Sequence, residues 1–355
     1  MAAALRPGLS VALLSCVCGG CYLMQSAAGQ FELMRARRPL SQVIDAASTP
    51  PKLRSQLEAV ASIRDFASRE LALPDNGSYR SYADVGRPYV VWNVVAAPEF
   101  SVDPKEWCYP IVGCVAYRGY FVEARARKFA AEQRRRGLDV VVGGTAAYST
   151  LGHFDDPILN TMLGWDDVEL ASIVFHELTH QLLYVAGDAS FNEAFATTVE
   201  EEGVKRWLQA QGRDKDLAQH LLEQQRYLQV IALLGATRDK LRVIYASQEP
   251  VADMRSDKRK AFAELRAAFA SLRDSWGGHA PFEAWFEQDI NNAHLASVAT
   301  YFVCVPGFER ELSAVHGDLP AFYRRVRELG KMPQTARDAL ICGGDETSRH
   351  RKLDE

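Results

Sequence analysis

The sequence predicts an α+β protein that is mostly helical, with a small mixed lobe at about residues 80–165 and a helical lobe at about residues 166–335. Three observations support this prediction. Runs rich in β-branched and aromatic residues are concentrated between residues 89 and 145, an apolar helical pattern begins after Asp166, and nearly all of the chain beyond residue 193 has helical periodicity. The composition, 48% hydrophobic and 24% charged, is typical of a soluble globular protein. The net charge of −4 gives no reason to expect a nucleic-acid partner.

Residues 1–20 have the pattern of an export signal. A basic start at Arg6 precedes a short apolar run from Leu9, and two glycines stand directly before Cys21. The run is too short to span a bilayer. Because Gly-Gly-Cys is similar to the end of a bacterial lipoprotein signal, Cys21 is predicted to carry a lipid anchor. The protein is then expected in the bacterial cell envelope, facing the periplasm, with the membrane as one partner.

Two alternatives to this anchor stay open. Cys18 stands three positions before Cys21, where lipoprotein signals usually carry leucine, and Cys16 ends a second sequence of the same kind. A plain secretory signal without lipid is the other interpretation.

Between the signal and the helical lobe, the pattern predicts both helices and strands. Helical spacing of apolar residues runs from Gly29 to the break at Pro50-Pro51, and again from Leu53 to Leu71. Strands are expected at 89–95, 111–117 and 138–142, and a charged helix at 121–136. These last elements form the mixed lobe.

A buried helix with an HExxH sequence follows at residues 171–184, and Asp166 with Glu169 is expected to cap its start. In a helix His176 and His180 lie one turn apart on the same face, so both imidazoles can bind one metal ion. Glu177 then lies beside the site without being a ligand and can act as a general base on a water molecule. The alternative is a pair of core histidines bound to carbonyl groups, with Glu177 in a salt bridge.

The third ligand is expected from the next helix. After Gly187 and a short turn, a new helical pattern contains Glu193, which can point back at the two histidines and complete a His, His, Glu set. A competing interpretation makes Glu193 part of a capping box with Ser190. Asp188 and the acidic run at 200–202 are further ligand candidates, although that run is more typical of a solvated helix face.

Several of these motifs together resemble a known family. The sequence HELTHQ at 176–181, NEAFAT at 192–197 and AYSTLGxFDDP at 147–157 are similar to the bacterial predicted zinc aminopeptidases, over about residues 21–335. The resemblance implies a zincin-like metallopeptidase fold that holds one Zn²⁺ ion at His176, His180 and Glu193. It also implies that Glu177 is the catalytic base.

In related zincins an edge strand shortly before HExxH pairs with an extended peptide substrate. The resemblance therefore implies that substrate binds beside Gly144, which follows the third strand and permits close approach. Tyr148 is a second candidate, which either lines the cleft or donates to a developing oxyanion, and the alternative is a structural role in a hinge loop. Related aminopeptidases carry a glutamate in this strand that holds the free amine of the substrate. Residues 144–148 contain no glutamate, so it stays open whether the substrate needs a free N-terminus.

The rest of the chain predicts helices, followed by a polar tail at residues 336–355. In a segment at 291–301, Tyr301 is the first candidate for a donor that stabilises the transition state, against an ordinary role in the core. Cys108 and Cys114 are expected to form a disulfide in an oxidising compartment. The sequence does not decide whether Cys304 and Cys342 meet.

The sequence thus predicts zinc-dependent hydrolysis of a peptide substrate, and specifically an aminopeptidase that uses water activated by Glu177. Two alternatives stay open. One is a non-catalytic zinc-binding envelope lipoprotein, and the other is an amidase that acts on cell-wall peptides.

Overall fold

The computed structural model describes residues 22, 24–109, 113–298 and 304–343, and these residues are mostly helical with three small sheets. This confirms the predicted α+β class. The helices are α1 (24–36), α2 (Leu40–Asp45), α3 (Pro51–Arg69), α4 (Glu123–Arg135), α5 (Asp167–Leu182), α6 (Ala189–Ala210), α7 (Asp214–Ala246), α8 (Val251–Ser275), α9 (Glu283–Phe286), α10 (Asn292–Val298), α11 (Val305–Ala314), α12 (Leu319–Gly330) and α13 (Gln334–Ile341). The strands are β1 (Arg38–Pro39), β2 (Ser81–Ala83), β3 (Val91–Ala97), β4 (Trp107–Tyr109), β5 (Gly113–Val115), β6 (Tyr117–Tyr120), β7 (Asp139–Thr145) and β8 (Ile158–Leu159).

The central sheet is antiparallel, in the order β6-β3-β7. Because side chains alternate along a strand, the even-numbered residues Trp92 and Val94 pack with α4 on one face. The odd-numbered residues Val95 and Ala97 pack with Ala293 of α10 on the other face. Helices α4 and α10 therefore cover opposite faces of this sheet.

The largest core joins α3, α5 and α6 with the C-terminal helices. Helices α5 and α6 pack closely, and Gly203 of α6 allows this approach. A Cβ atom at Gly203 would lie 2.8 Å from side-chain atoms of both Leu71 and Phe175. The backbone of α6 is therefore held against the helix that carries the two histidines.

The bounds of the paired strands β3 and β7 differ from the prediction. Strand β3 begins at Val91, two residues later than expected, and β7 continues to Thr145. Gly143 and Gly144, which were expected in a loop, are paired with Asn93 and Trp92. Backbone pairing needs no side chain. Strand β7 therefore continues through both glycines, because β3 is long enough to pair with them.

The C-terminal boundary also differs from the prediction. Residues 336–341, expected to begin a polar tail, lie in α13, where Arg337 and Ile341 are buried. A disulfide joins Cys304 to Cys342, at the start of α11 and the end of α13. The predicted disulfide Cys108–Cys114 is also present, between β4 and β5.

The predicted signal at residues 1–20 and the anchor Cys21 lie outside the described residues. No helix in the described part of the chain combines the length and the apolar character that crossing a bilayer requires.

Candidate metal and catalytic site

Helix α5 carries the two histidines. Asp166 caps the helix, since its carboxylate accepts a bond from the backbone N–H of Glu169 at 2.8 Å, and the Glu169 carboxylate accepts one from the N–H of Asp166 at 3.0 Å. This is the capping box that the sequence predicts. One turn apart on the same face, Nε2 of His176 and Nε2 of His180 lie 3.1 Å from each other. The helix ends at Leu182, two residues before the predicted end at Tyr184.

Glu193 of α6 completes a group of three. Its Oε2 atom lies 3.3 Å from Nε2 of His176 and 3.8 Å from Nε2 of His180. Within the described ranges, no other set of three or more His, Cys, Asp or Glu side chains brings ligand atoms this close. A tetrahedral Zn²⁺ with ligands at about 2.0–2.1 Å places neighbouring donor atoms roughly 3.3 Å apart. The three donors therefore fit the geometry of a single zinc ion.

The charges of these side chains support one another. Burial raises the pKa of Glu193, but hydrogen bonds and charges from His176 and His180 outweigh it and lower that pKa to about 2. Burial lowers the pKa of His176, but hydrogen bonds to Glu193 and Glu200 outweigh it and raise the pKa well above its ordinary value. The Nδ1 atom of His180 is buried and has no hydrogen-bond partner among the described residues.

Glu193 does not act as a helix cap. The N-cap of α6 is Asp188, whose carboxylate accepts a bond from the backbone N–H of Phe191 at 3.0 Å. Ser190 already lies within the helix, so the competing capping-box interpretation of Glu193 is wrong. The reason is that the chain enters the helix two residues earlier, which leaves the Glu193 carboxylate directed at the histidines.

Asn192 fixes the connection between the two helices. It is completely buried, and its amide group binds both backbone groups of Val185, accepting from N–H at 2.7 Å and donating to C=O at 2.8 Å. The chain after α5 is thereby held against the first turns of α6. This contact explains in physical terms why asparagine precedes the glutamate in the NEAFAT sequence.

Asp188, a ligand candidate from the sequence, has a different role. Its Oδ2 atom accepts a bond from Nε of Arg337 at 2.9 Å and also contacts Nη2 of that residue. The two side chains are only 3% and 5% exposed. A buried carboxylate with a full ionic partner is not free to bind a metal, so Asp188 instead joins α13 to the start of α6.

Glu200 was predicted only as one of several alternative ligands, and it contacts His176 instead of joining the three converging donors. Its Oε2 atom lies 2.8 Å from Nδ1 of His176, and its Oε1 accepts a bond from the Ser172 hydroxyl. The run 200–202 is not a solvated face. Glu202 pairs with Arg206 at 2.7 Å, and burial raises the pKa of Glu201 to about 7. Glu200 lies two turns after Glu193 on the same face of α6, and this spacing is the signal that could have identified it.

Glu177 follows His176 directly in α5 and is not one of the three converging donors. The side chain is partly buried and forms no hydrogen bond or ion pair with another described residue. Burial of Tyr79 is the main cause that raises the pKa of this tyrosine, and the negative charge of Glu177 is the second. The charge of Glu177 also raises the pKa of Asp156. Its charge also raises the pKa of His176, so the carboxylate lies near a candidate ligand and can act as a base without being a ligand itself.

Two exposed tyrosines lie beside the site, and the sequence singled out neither. Tyr117 of β6 is 50% exposed and Tyr184 is 46% exposed. Desolvation raises the pKa of Tyr117, and the nearby groups of Tyr184, Glu193 and Glu177 raise it further. The ring of Tyr184 meets the ring of His180 edge-on, with the centroids 6.1 Å apart.

The outer edge of β6 is covered by α1. The backbone N–H of Gly119 donates to the Tyr22 hydroxyl at 3.2 Å, and its C=O accepts from the Gln25 amide at 3.1 Å. At the opposite edge of the sheet, the backbone N–H and C=O groups of the even-numbered β7 residues point away from β3. Accordingly, Nη2 of Arg134 donates to the C=O of Val140 at 3.1 Å.

The two candidates for substrate binding lie at or after the end of this strand. The outward N–H and C=O groups of Val142 and Gly144 form no hydrogen bond with any other described residue. The Tyr89 ring fills the space for a side chain at Gly144, since it lies 2.3 Å from where a Cβ atom would be, whereas the space at Gly143 is open. Tyr148 packs against Phe121 with ring centroids 5.6 Å apart, and burial raises its pKa to about 12. Tyr301 lies outside the described residues.

Comparison with known proteins gives one family. No curated protein and no solved structure matches the chain. The family model described as "Putative aminopeptidase" matches residues 21–341, which is most of the sequence. The chain therefore belongs to this aminopeptidase family.

Proposed function

We propose that this protein is a zinc-dependent peptide hydrolase with a zincin-like site. The observation that carries the proposal is the convergence of three donor atoms, from His176, His180 and Glu193, at spacings of 3.1, 3.3 and 3.8 Å. Two neutral nitrogen ligands and one carboxylate leave the fourth position of a tetrahedral site open, which is typical of catalytic rather than structural zinc. The family name supports a peptidase, and specifically an aminopeptidase.

A Zn²⁺ ion in this site supplies Lewis acidity, which lowers the pKa of a water molecule and polarises a substrate carbonyl group. Glu177 accepts the proton of the attacking water and passes it to the nitrogen of the leaving amine. Its lack of other partners in the described chain suits this role, because a carboxylate tied up in a salt bridge is a weaker base.

The remaining groups hold the ligands in place. Glu200 accepts the Nδ1 proton of His176 and so keeps Nε2 deprotonated and directed at the metal. The Ser172 hydroxyl in turn orients Glu200. The hydroxyls of Tyr117 and Tyr184 join that of Tyr301 as candidates to donate to the developing oxyanion.

For the peptide substrate, we assign the main chain to the open edge of β7. The free backbone groups of Val142 and Gly144 support this assignment, since an extended peptide gains affinity by adding a strand to such an edge. The open space at Gly143 leaves that face of the strand uncovered.

Metal analysis of the purified protein and of His176→Ala tests the proposal first. We expect about one zinc per chain in the parent protein and none in the variant. Hydrolysis of amino-acid anilides, N-blocked peptides and muropeptides is then compared side by side. Cleavage of anilides alone supports an aminopeptidase, and cleavage of muropeptides supports the amidase alternative. Bound zinc without any hydrolysis supports a non-catalytic binding protein.

The location at the cell envelope is also a proposal. We infer that Cys21 is lipidated after removal of residues 1–20. A radiolabelled fatty acid should be incorporated into the parent protein and not into Cys21→Ala. Unchanged labelling of that variant would assign the lipid to another cysteine.

A further inference from the structure

Helix α4 carries an unusual concentration of positive charge. Residues 123–136 contain six basic side chains and two acidic ones, a net charge of +4, although the whole chain has a net charge of −4. All six basic residues are exposed: Arg125, Arg127, Lys128, Arg134, Arg135 and Arg136. The buried residues of the helix, Ala126, Ala130 and Gln133, lie on the opposite side and pack on the sheet.

Most of this charge is not used inside the protein. Arg127 pairs with Glu123 on the same helix, and Arg134 donates to a backbone carbonyl. Among the described residues, the side chains of Arg125, Lys128 and Arg135 have no ion pair or hydrogen bond. Lys128 and Arg135 are seven residues apart, so they lie two turns apart along the middle of the exposed face.

The first described residue lies next to this helix. The guanidinium group of Arg118 lies 4.0 Å from the ring centroid of Tyr22 and 4.6 Å from that of Phe129 in α4. Tyr22 also packs against Tyr120, which lies on the face of the sheet that α4 covers. The point where the chain leaves the predicted lipid attachment site is therefore at the edge of the α4 surface.

The α4 surface lies on the opposite face of the sheet from α10 and Tyr117. Tyr117 pairs with Val95, which packs with Ala293 of α10, and α4 covers the other face. A flat partner lying on α4 would leave the Tyr117 side of the sheet uncovered.

We propose that the exposed face of α4 docks on an anionic phospholipid surface. Anionic headgroups are the partner that fits an exposed helix face with several unpaired basic side chains, and a lipid chain near Tyr22 would hold this same surface at the bilayer. A basic surface adds electrostatic attraction to anionic lipid, and this attraction is independent of a lipid anchor. This interaction does not depend on the proposed hydrolase activity.

The test compares two triple variants of the full chain, each in the parent background and with Cys21→Ser. One carries Arg125→Gln, Lys128→Gln and Arg135→Gln. The matched control carries Lys215→Gln, Arg259→Gln and Lys260→Gln, which removes the same charge from exposed positions on α7 and α8. Binding is measured by flotation with vesicles of phosphatidylcholine, either alone or with about 30% phosphatidylglycerol, which gives the surface a negative potential. Thermal unfolding checks that both variants remain folded.

Each basic residue near an anionic surface strengthens binding about fivefold, so the α4 variant should bind phosphatidylglycerol vesicles on the order of 100-fold more weakly. The control should bind like the parent, and high salt should weaken the parent's binding. In the Cys21→Ser background the preference for anionic vesicles should persist at lower affinity. Equal binding of the two triple variants would overturn the proposal. So would tighter binding of the parent to an RNA oligonucleotide than to the anionic vesicles at the same salt concentration.

Discussion

The Oε2 atom of Glu200 lies 2.8 Å from Nδ1 of His176, while Nε2 on the other side of the same ring lies 3.3 Å from Glu193. One imidazole is thus held between two carboxylates of α6 that are two helical turns apart. The first prediction follows from this contact. We expect Glu200→Gln to weaken zinc binding by about 10–100-fold, because partners of this kind set the tautomer and basicity of a metal-binding histidine. Titration against a competing chelator measures the affinity.

Glu202→Gln on the same helix is the control, since Glu202 contacts Lys205 and Arg206 and not a histidine. If both variants bind zinc as tightly as the parent, Glu200 has only a structural role.

Glu177 should separate metal binding from turnover. We expect Glu177→Gln to retain zinc, because Glu177 is not one of the three converging donors, and to lower kcat by about 10²–10⁴-fold through loss of the base. Metal content and peptide hydrolysis are measured on the same sample. His180→Ala should lose both the metal and the activity. A Glu177→Gln variant with normal kcat would remove Glu177 from the mechanism.

The buried pair Asp188–Arg337 should stabilise the folded protein, because it joins α13 to the start of α6. Removing one partner leaves an unpaired buried charge, so Arg337→Met should lower the free energy of unfolding by about 3–5 kcal/mol. The double variant Asp188→Asn/Arg337→Met should lose less, because no uncompensated charge remains. Urea unfolding of the apo proteins gives these values. Equal losses in the single and double variants would contradict the charge argument.

Asp156 should make the stability of the protein depend on pH. Burial is the main cause that raises its pKa from 3.8 to about 6 in the folded state. The folded state therefore binds this proton more tightly than the unfolded state, and stability falls as pH rises from about 4 to 6 and then levels off. The contribution of this group amounts to as much as about 3 kcal/mol. Asp156→Asn should flatten this part of the stability curve, and Asp155→Asn, at an exposed position, should leave it unchanged.

The outer edge of β7 can be tested through a single N–H group. Val142→Pro removes a donor that points away from β3, so the pairing with β3 should survive. We expect KM for an extended peptide to rise about 2–12-fold, the range for one lost hydrogen bond, with little change in kcat. Val142→Ala controls for the lost side chain. If proline and alanine give the same KM, the substrate does not pair with the outer edge of β7.

Features that depend on residues close together in the sequence were predictable, and those that depend on distant residues were not. The helix with His176 and His180, its cap at Asp166 and Glu169, and the α+β class were all predictable from periodicity and spacing along the chain. The bounds of β7 were not, because pairing with β3 extends it through two glycines. The contact of Glu200 with His176 and the position of Tyr117 beside the site were missed for a related reason, since both involve residues that are far apart in the sequence.

The sequence by itself determined that two imidazoles share one face of a buried helix, because helical geometry depends only on residues a few positions apart. Only the tertiary structure decided which acid meets them. Glu193 faces the histidines because Asn192 hydrogen-bonds the backbone of Val185. Gly203 lets α6 approach α5, and Arg337, near the other end of the chain, binds Asp188 at the start of α6. These contacts depend on the packing of whole helices, and no spacing along a single segment encodes them.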